Sequence, residues 1–204
     1  MFKNEITLWN DTVQKSPHKA SPYNSRGMAY FNQGNFTKAI SDYNRAIEIN
    51  SSYADAYNNR GGAYSQQSNF TQAISDYTKT REISPNDPEI YINRGIAFAG
   101  LSNFTQAISD YTEAIEINPN HAEAYYNRGN AYSQQGNLTQ ALLDYNKAIE
   151  IDPNNGDAYY FRAVAYYHLK EYGKAWGDAR KAKELGTVVS ADLISTLKKV
   201  SKLR

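Results

Sequence analysis

The sequence predicts an all-α solenoid, a stack of antiparallel helix pairs. Three observations carry this: a block of 34 residues keeps returning, each block holds two apolar stripes at helical spacing, and each stripe is closed by a helix-ending residue at a fixed place. Tyr57-Asn58-Asn59-Arg60-Gly61 returns as Tyr91-Ile92-Asn93-Arg94-Gly95 and as Tyr125-Tyr126-Asn127-Arg128-Gly129. Asn69 to Tyr77 and Asn103 to Tyr111 are the same nine residues, and Pro17, Pro85, Pro119 and Pro153 keep one register.

Five repeats are placed at 20–53, 54–87, 88–121, 122–155 and 156–189. In the first helix of the block beginning at Ala122, Tyr125, Ala131 and Tyr132 share a face. Gly34, Ser68, Ser102 and Gly136 then end the first helices, a position where glycine suits left-handed backbone. Asn35, Asn69, Asn103 and Asn137 follow as N-caps of the second helices. Those helices carry a second stripe, such as Ala141, Leu142, Tyr145, Ala148 and Ile149, and the junction proline stops them. Residues 1–19 read as the second helix of a truncated repeat, with Trp9 in the column of Tyr43. That half-repeat points to a cap or to a chain cut from a longer protein, with an apolar face left to cover. Residues 190–204 read as a capping helix: Leu193, Leu197 and Val200 form one side, and Lys198, Lys199 and Lys202 a solvated basic one.

Composition narrows the function. A formal net charge of +1 over 204 residues gives no bulk attraction to nucleic acid or to an anionic membrane. The absence of cysteine removes disulfides, thiolate chemistry and Cys-based zinc sites, and favours a reducing compartment such as the cytoplasm. No apolar run is long enough to span a bilayer, and the start of the chain lacks the apolar core of a signal peptide.

A 34-residue helix-turn-helix block with small, aromatic and proline columns resembles the tetratricopeptide repeat (TPR) family, over residues 4 to 189. The resemblance implies a right-handed superhelical TPR solenoid whose first helices line a concave, ligand-binding groove. Gly27, Gly61, Gly95 and Gly129 are expected to face Ala39, Ala73, Ala107 and Ala141, so that paired helices approach closely, with tyrosines filling the space around them. The last repeat departs from the pattern at Ala163 and Ala179, as end repeats do. Thr80 interrupts an alanine column inside the array.

Asn59, Asn93 and Asn127 recur on three consecutive first helices. A carboxamide offers one acceptor and two donors, so it can pair with both polar groups of a peptide unit. Similarity to asparagine-ladder members of the family implies that these residues hold the backbone of an extended peptide; the alternative is hydrogen bonding to a neighbouring repeat or to water. Asn24, Asn58, Tyr126, Asn130 and Tyr160 complete the expected peptide-binding set, with Gln66 and Gln134 further along. The alternative for the tyrosines is packing between repeats.

Asp55, Glu89, Glu123 and Asp157 open the first helices, where the helix dipole favours them. With Glu89 at a place that calls for a cation in the chaperone-binding members of the family, the chain is not expected to bind acidic chaperone tails. Arg26, Arg60, Arg94, Arg128 and Arg162 recur in step with Asp42, Asp76, Asp110, Asp144 and Asp178, which predicts one ion pair per repeat rather than phosphate binding. The Asn-Phe-Thr and Asn-Leu-Thr tripeptides follow from the repeated turn rather than marking glycosylation.

His18, His121 and His168 have no partner pattern, and no phosphate loop, metal cluster or nucleophile motif occurs. The expected function is therefore a non-enzymatic scaffold, without cofactor or metal, that binds a protein or peptide partner. Two alternatives remain: self-assembly into a homo-oligomer through the solenoid ends, and service as the substrate-recognition arm of a larger enzyme.

Overall fold

The computed structural model describes residues 2–201. These form twelve α-helices, with no strand among the described residues, and the chain divides into two compact units at Asn103. Lys202, assigned above to the basic side of the last helix, lies outside the described residues.

The first unit holds α1 (Phe2–Lys15), α2 (Ala20–Asn32), α3 (Phe36–Ile49), α4 (Ala54–Gln66), α5 (Phe70–Ile83) and α6 (Pro88–Gly100). Each helix packs on the next in sequence, and the first helices α2, α4 and α6 also touch one another in order. The second unit holds α7 (Phe104–Ile117), α8 (Ala122–Gln134), α9 (Leu138–Ile151), α10 (Gly156–His168), α11 (Tyr172–Glu184) and α12 (Ala191–Ser201). Sequential helices pack there in the same way, and α8 touches α10.

The turn inside each helix pair is set by one left-handed residue: Gly34 (φ 74°), Ser68 (φ 58°), Ser102 (φ 57°), Gly136 (φ 78°) and Lys170 (φ 62°). The next residue closes the turn by donating its N–H back to an aromatic residue's carbonyl, as Asn35 does to Tyr30 at 2.9 Å and Asn137 to Tyr132 at 2.9 Å. The Asn35 and Asn137 side chains cap α3 and α9 by accepting from the N–H of Lys38 and Gln140. Asn69 stands at the same place before α5 but makes no such bond, so its cap is backbone geometry alone. At the junctions between pairs, the side-chain oxygens of Asn50, Asn118 and Asp152 accept from the N–H two residues on, forming Asx-turns.

The core is built from alanine and tyrosine. Ala39 and Tyr43 pack with Ala63 of the next pair, Ala73 and Tyr77 with Ala97, and Ala141 and Tyr145 with Ala165. The small column meets the tyrosines first, and at Gly129 the Ala141 carbonyl oxygen as well, 3.3 Å from where a Cβ would lie. A Cβ on Gly27, Gly61 or Gly129 would lie 2.6–2.8 Å from Cε1 of Tyr43, Tyr77 or Tyr145. The glycines thus receive a tyrosine ring laid across the first helix.

That contact accounts for the last repeat. Where Ala163 replaces the glycine, Ala179 replaces the tyrosine, and buried Leu197 of α12 packs with both. Thr80 also has a place: its buried hydroxyl donates to the Asp76 carbonyl at 2.9 Å, so it replaces an alanine without leaving an unpaired polar group.

Arginine spans adjacent second helices. Asp42, Asp76, Asp144 and Asp178 each accept two hydrogen bonds of 2.6–2.8 Å from Arg26, Arg60, Arg128 and Arg162. Each of these arginines also uses Nη1 to reach the preceding second helix, at Asn10, Asn44, Thr112 and Asn146, and Arg94 does so at Thr78. The guanidinium lies over the tyrosine three residues earlier, 5.3–5.9 Å from the ring centre in five cases. The paired carboxylates raise Arg26 and Arg128 further above their already high range, Asp42 being the leading cause for the first and Asp144 for the second.

Candidate functional site

In the first unit, α2, α4 and α6 border a half-open cavity of about 450 Å³. It exists because of one residue. Met28, Gly62, Ile96 and Asn130 occupy one column of the repeat, and Gly62 alone brings no side chain. A Cβ there would meet only Tyr77 Oη at 3.9 Å and Phe31 Cε2 at 4.0 Å. The space is walled by Met28, Phe31 and Ile96 together with Tyr43 and Tyr77, and no charged residue lines it. Met28 and Ile96 are 46% and 41% exposed, large apolar surface for side chains beside a cavity.

Three expected binding residues, Asn58, Asn59 and Asn93, meet at this cavity, and Gln66 joins them. Asn59 donates through Nδ2 to Oδ1 of Asn24 at 3.1 Å, which orients its carboxamide. Asn24 itself is 5% exposed, so it supports Asn59 from below and is not part of the lining. Asn58 is different: its Oδ1 is buried and has no hydrogen-bond partner. Buried amide oxygens are nearly always paired, so this atom marks the wall as unusual.

The second unit treats the corresponding columns differently. Oδ1 of Asn130 accepts from the Tyr145 hydroxyl at 2.8 Å, so in this repeat a side chain fills the place that Gly62 leaves open. Tyr126 packs on Tyr145 and on Phe161 with ring centres 6.5 and 5.9 Å apart, and Tyr160 packs on Phe161 at 5.1 Å. Tyr126 therefore does the inter-repeat packing named above as its alternative role, through Phe161 of the next repeat, whereas the Tyr160 contact lies within its own helix. Burial pushes the Tyr126 phenol up, as it does Tyr43, Tyr77, Tyr111 and Tyr145. Asn127 lies half-buried on α8. Tyr126 also borders a shallow polar depression beside Glu123 and Asp157.

Sequence reasoning missed Gly62, Met28, Phe31 and Ile96. The signal was present in one column, where a glycine interrupts larger side chains, but the repeat pattern directs attention to columns that stay constant.

Among the described residues, no group of three or more His, Asp or Glu is placed to hold a metal ion, and no helix is long and apolar enough to cross a membrane.

No curated protein matches the sequence. Solved structures do. The chain is similar to YrrB, a TPR protein with an unusual peptide-binding site, at 24% identity over 94% of this chain and 97% of that one, with a TM-score of 0.74. MamA matches at 26% identity over 78% and 94%, TM-score 0.73. PilF of Pseudomonas aeruginosa matches at 21% identity over 90% and 84%, TM-score 0.80. Family models described as tetratricopeptide repeat match residues 54–87, 122–155 and 144–177, and one described as TPR repeat matches 27–68 and 101–136. Taken with the helix pairs, the tyrosine-on-glycine contacts and the recurring turns, these matches establish that the chain belongs to the tetratricopeptide-repeat family.

Proposed function

We propose that this protein is a recognition scaffold whose first-helix face holds an extended segment of a partner protein. The family is one of protein-interaction scaffolds, and the all-helical TPR fold supports that role in general terms. The observation that carries the finer reading is the convergence of Asn58, Asn59 and Asn93 on one uncharged cavity. Carboxamides there can pair with peptide N–H and C=O groups whatever the sequence, while the apolar wall rewards a side chain that leaves water. The peptide-binding site of YrrB lends this weight by analogy. Asn24 acts by holding Asn59. Tyr126, Asn127, Asn130 and Tyr160 are assigned to the corresponding face of the second unit. The repeat boundaries proposed are 20–53, 54–87, 88–121, 122–155 and 156–189, with a half-repeat at 1–19 and a capping helix at 190–204.

The test is capture of partners by wild type against Asn59→Ala/Asn93→Ala/Asn127→Ala, with helicity checked by circular dichroism. Loss of partners from a folded variant supports the reading; undiminished capture rejects it.

A second reading, self-assembly through α1, is favoured by Leu8, whose side chain is 59% exposed. Sedimentation across a range of protein concentrations tests it, and a strict monomer would exclude it.

A further inference from the structure

We propose that the Gly62 cavity is an anchor pocket for one aromatic side chain carrying a hydrogen-bond donor, a tyrosine or tryptophan of the bound segment. This rests on the peptide-binding reading and narrows it to a ligand class.

Four observations lead there. The cavity is a local exception: residues at the same place in neighbouring repeats, Met28 and Ile96, project side chains that Gly62 lacks. Its volume of about 450 Å³ accommodates a large side chain together with part of the backbone that carries it. Its walls include the Phe31 ring and the thioether of Met28, with the buried Tyr43 and Tyr77 behind them, and these suit another ring through edge-to-face and sulfur contacts. Its lining has no charge, so a buried lysine or arginine would lack a counter-ion.

The choice among aromatics follows from Asn58. Its Oδ1 has no protein partner and lies buried at the wall. The carboxamide turns about a broad, soft terminal torsion, so a modest rotation presents the oxygen to a phenol or an indole N–H. A phenylalanine would fill the same volume and leave that oxygen unmet, at a cost of about 1–3 kcal/mol, roughly five- to 150-fold in affinity. Asn59 and Asn93, on either side, then take the peptide units that flank the anchor.

The experiment selects binders from a random 12-residue peptide library on immobilised full-length protein, then measures each by fluorescence anisotropy. The expected result is enrichment of tyrosine or tryptophan at one fixed position, at least fivefold weaker binding after its change to phenylalanine, and loss of binding on change to alanine. Gly62→Met, which copies Met28, should weaken the same peptides at least tenfold while leaving the circular dichroism spectrum and melting profile intact. Should Gly62→Met fold poorly, Asn58→Leu is the second variant, and it should bring the tyrosine and phenylalanine peptides to equal affinity. No aromatic enrichment, or full affinity for the filled or apolar variant, would overturn the proposal. The two readings separate cleanly: if Gly62→Met still captures the partners that the triple asparagine variant loses, the groove stands and the anchor falls.

Discussion

Gly27 and Tyr43 form a fitted pair: a Cβ on the glycine would lie 2.6 Å from Cε1 of the ring, inside any tolerable contact. The ring is 1% exposed and clustered with Ala39 and Ala63, so a new methyl there displaces a core side chain. Gly27→Ala, Gly61→Ala and Gly129→Ala should each destabilise by about 1–3 kcal/mol through overpacking, despite alanine's better helix propensity. Ala163 tolerates its Cβ because Ala179 has replaced the ring. Ala163→Gly should therefore cost only about 0.5–1 kcal/mol, the ordinary entropy of a glycine in a helix. Urea unfolding of the four variants checks the contrast, and equal effects would contradict it.

The arginine network makes a prediction about partners rather than charge. Asp144→Ala leaves the Arg128 guanidinium, 17% exposed, without its bidentate acceptor, and should cost about 3 kcal/mol. Thr112→Val removes the bond from Arg128 and the hydroxyl's own bond to the Ile108 carbonyl, leaves the bidentate pair with Asp144 intact, and should cost about 1 kcal/mol. Arg128→Lys should not rescue, since a point charge cannot make the planar fork. Thermal melts of the single variants and of Thr112→Val/Arg128→Lys would report the coupling.

Ser68 and Ser102 hold left-handed backbone that their repeat-mates Gly34 and Gly136 adopt without strain. The left-handed conformation costs a residue with a side chain about 1–2 kcal/mol, and the added freedom of an unfolded glycine returns part of it. Ser68→Gly and Ser102→Gly should each stabilise by about 0.5–1 kcal/mol, seen as a higher melting temperature.

Burial raises the phenols of Tyr43, Tyr77, Tyr111, Tyr126 and Tyr145, and this fixes the alkaline limit of stability. The folded chain keeps these protons at pH values where the unfolded chain loses them. Stability from this source is therefore fully present below the unfolded tyrosine range, about pH 10, and declines above it by about 1.4 kcal/mol per pH unit for each such tyrosine. Denaturant midpoints measured from pH 8 to pH 11 should stay level and then drop, with phenolate absorbance rising together with unfolding.

Leu197 stands 1% exposed against Ala163 and Ala179. Leu197→Ala should cost about 2–5 kcal/mol, a core penalty from a residue in the final helix. Limited proteolysis of α12 would reveal the loosening.

Much of this was legible in the sequence, and the part that was not has a common cause. The period located the helix pairs, and the matching Arg and Asp columns announced their pairing, because both signals repeat. The tyrosine ring as the nearest neighbour of Gly27, Gly61 and Gly129 was not legible, because Ala39 and Tyr43 lie one turn apart on the same stripe, and spacing alone does not say which of them comes closest. Asn24 shares a column with Asn58, which suggests a shared environment, yet it is buried and accepts a hydrogen bond from Asn59 rather than lining the cavity. The cavity depended on a break in a column, Gly62 among Met28, Ile96 and Asn130, and its meaning emerged only with the rings of Tyr77 and Phe31 in place. Asn58 was marked as a binding residue, but its unmet oxygen was not legible, since an unmet hydrogen bond is a property of surroundings.

Arg60 bonds Asp76, sixteen residues ahead, and Asn44, sixteen residues behind. Both offsets fall short of half a repeat, so a duplicated or deleted block of 34 residues restores every such bracket at the new seam without any compensating change. Gene length can therefore vary in whole modules at little structural cost, whereas a single added residue in a junction would displace Asn44 from Arg60 while leaving Asp76 in register. The lineage of this chain should accordingly vary by entire helix pairs and hold its junction lengths constant.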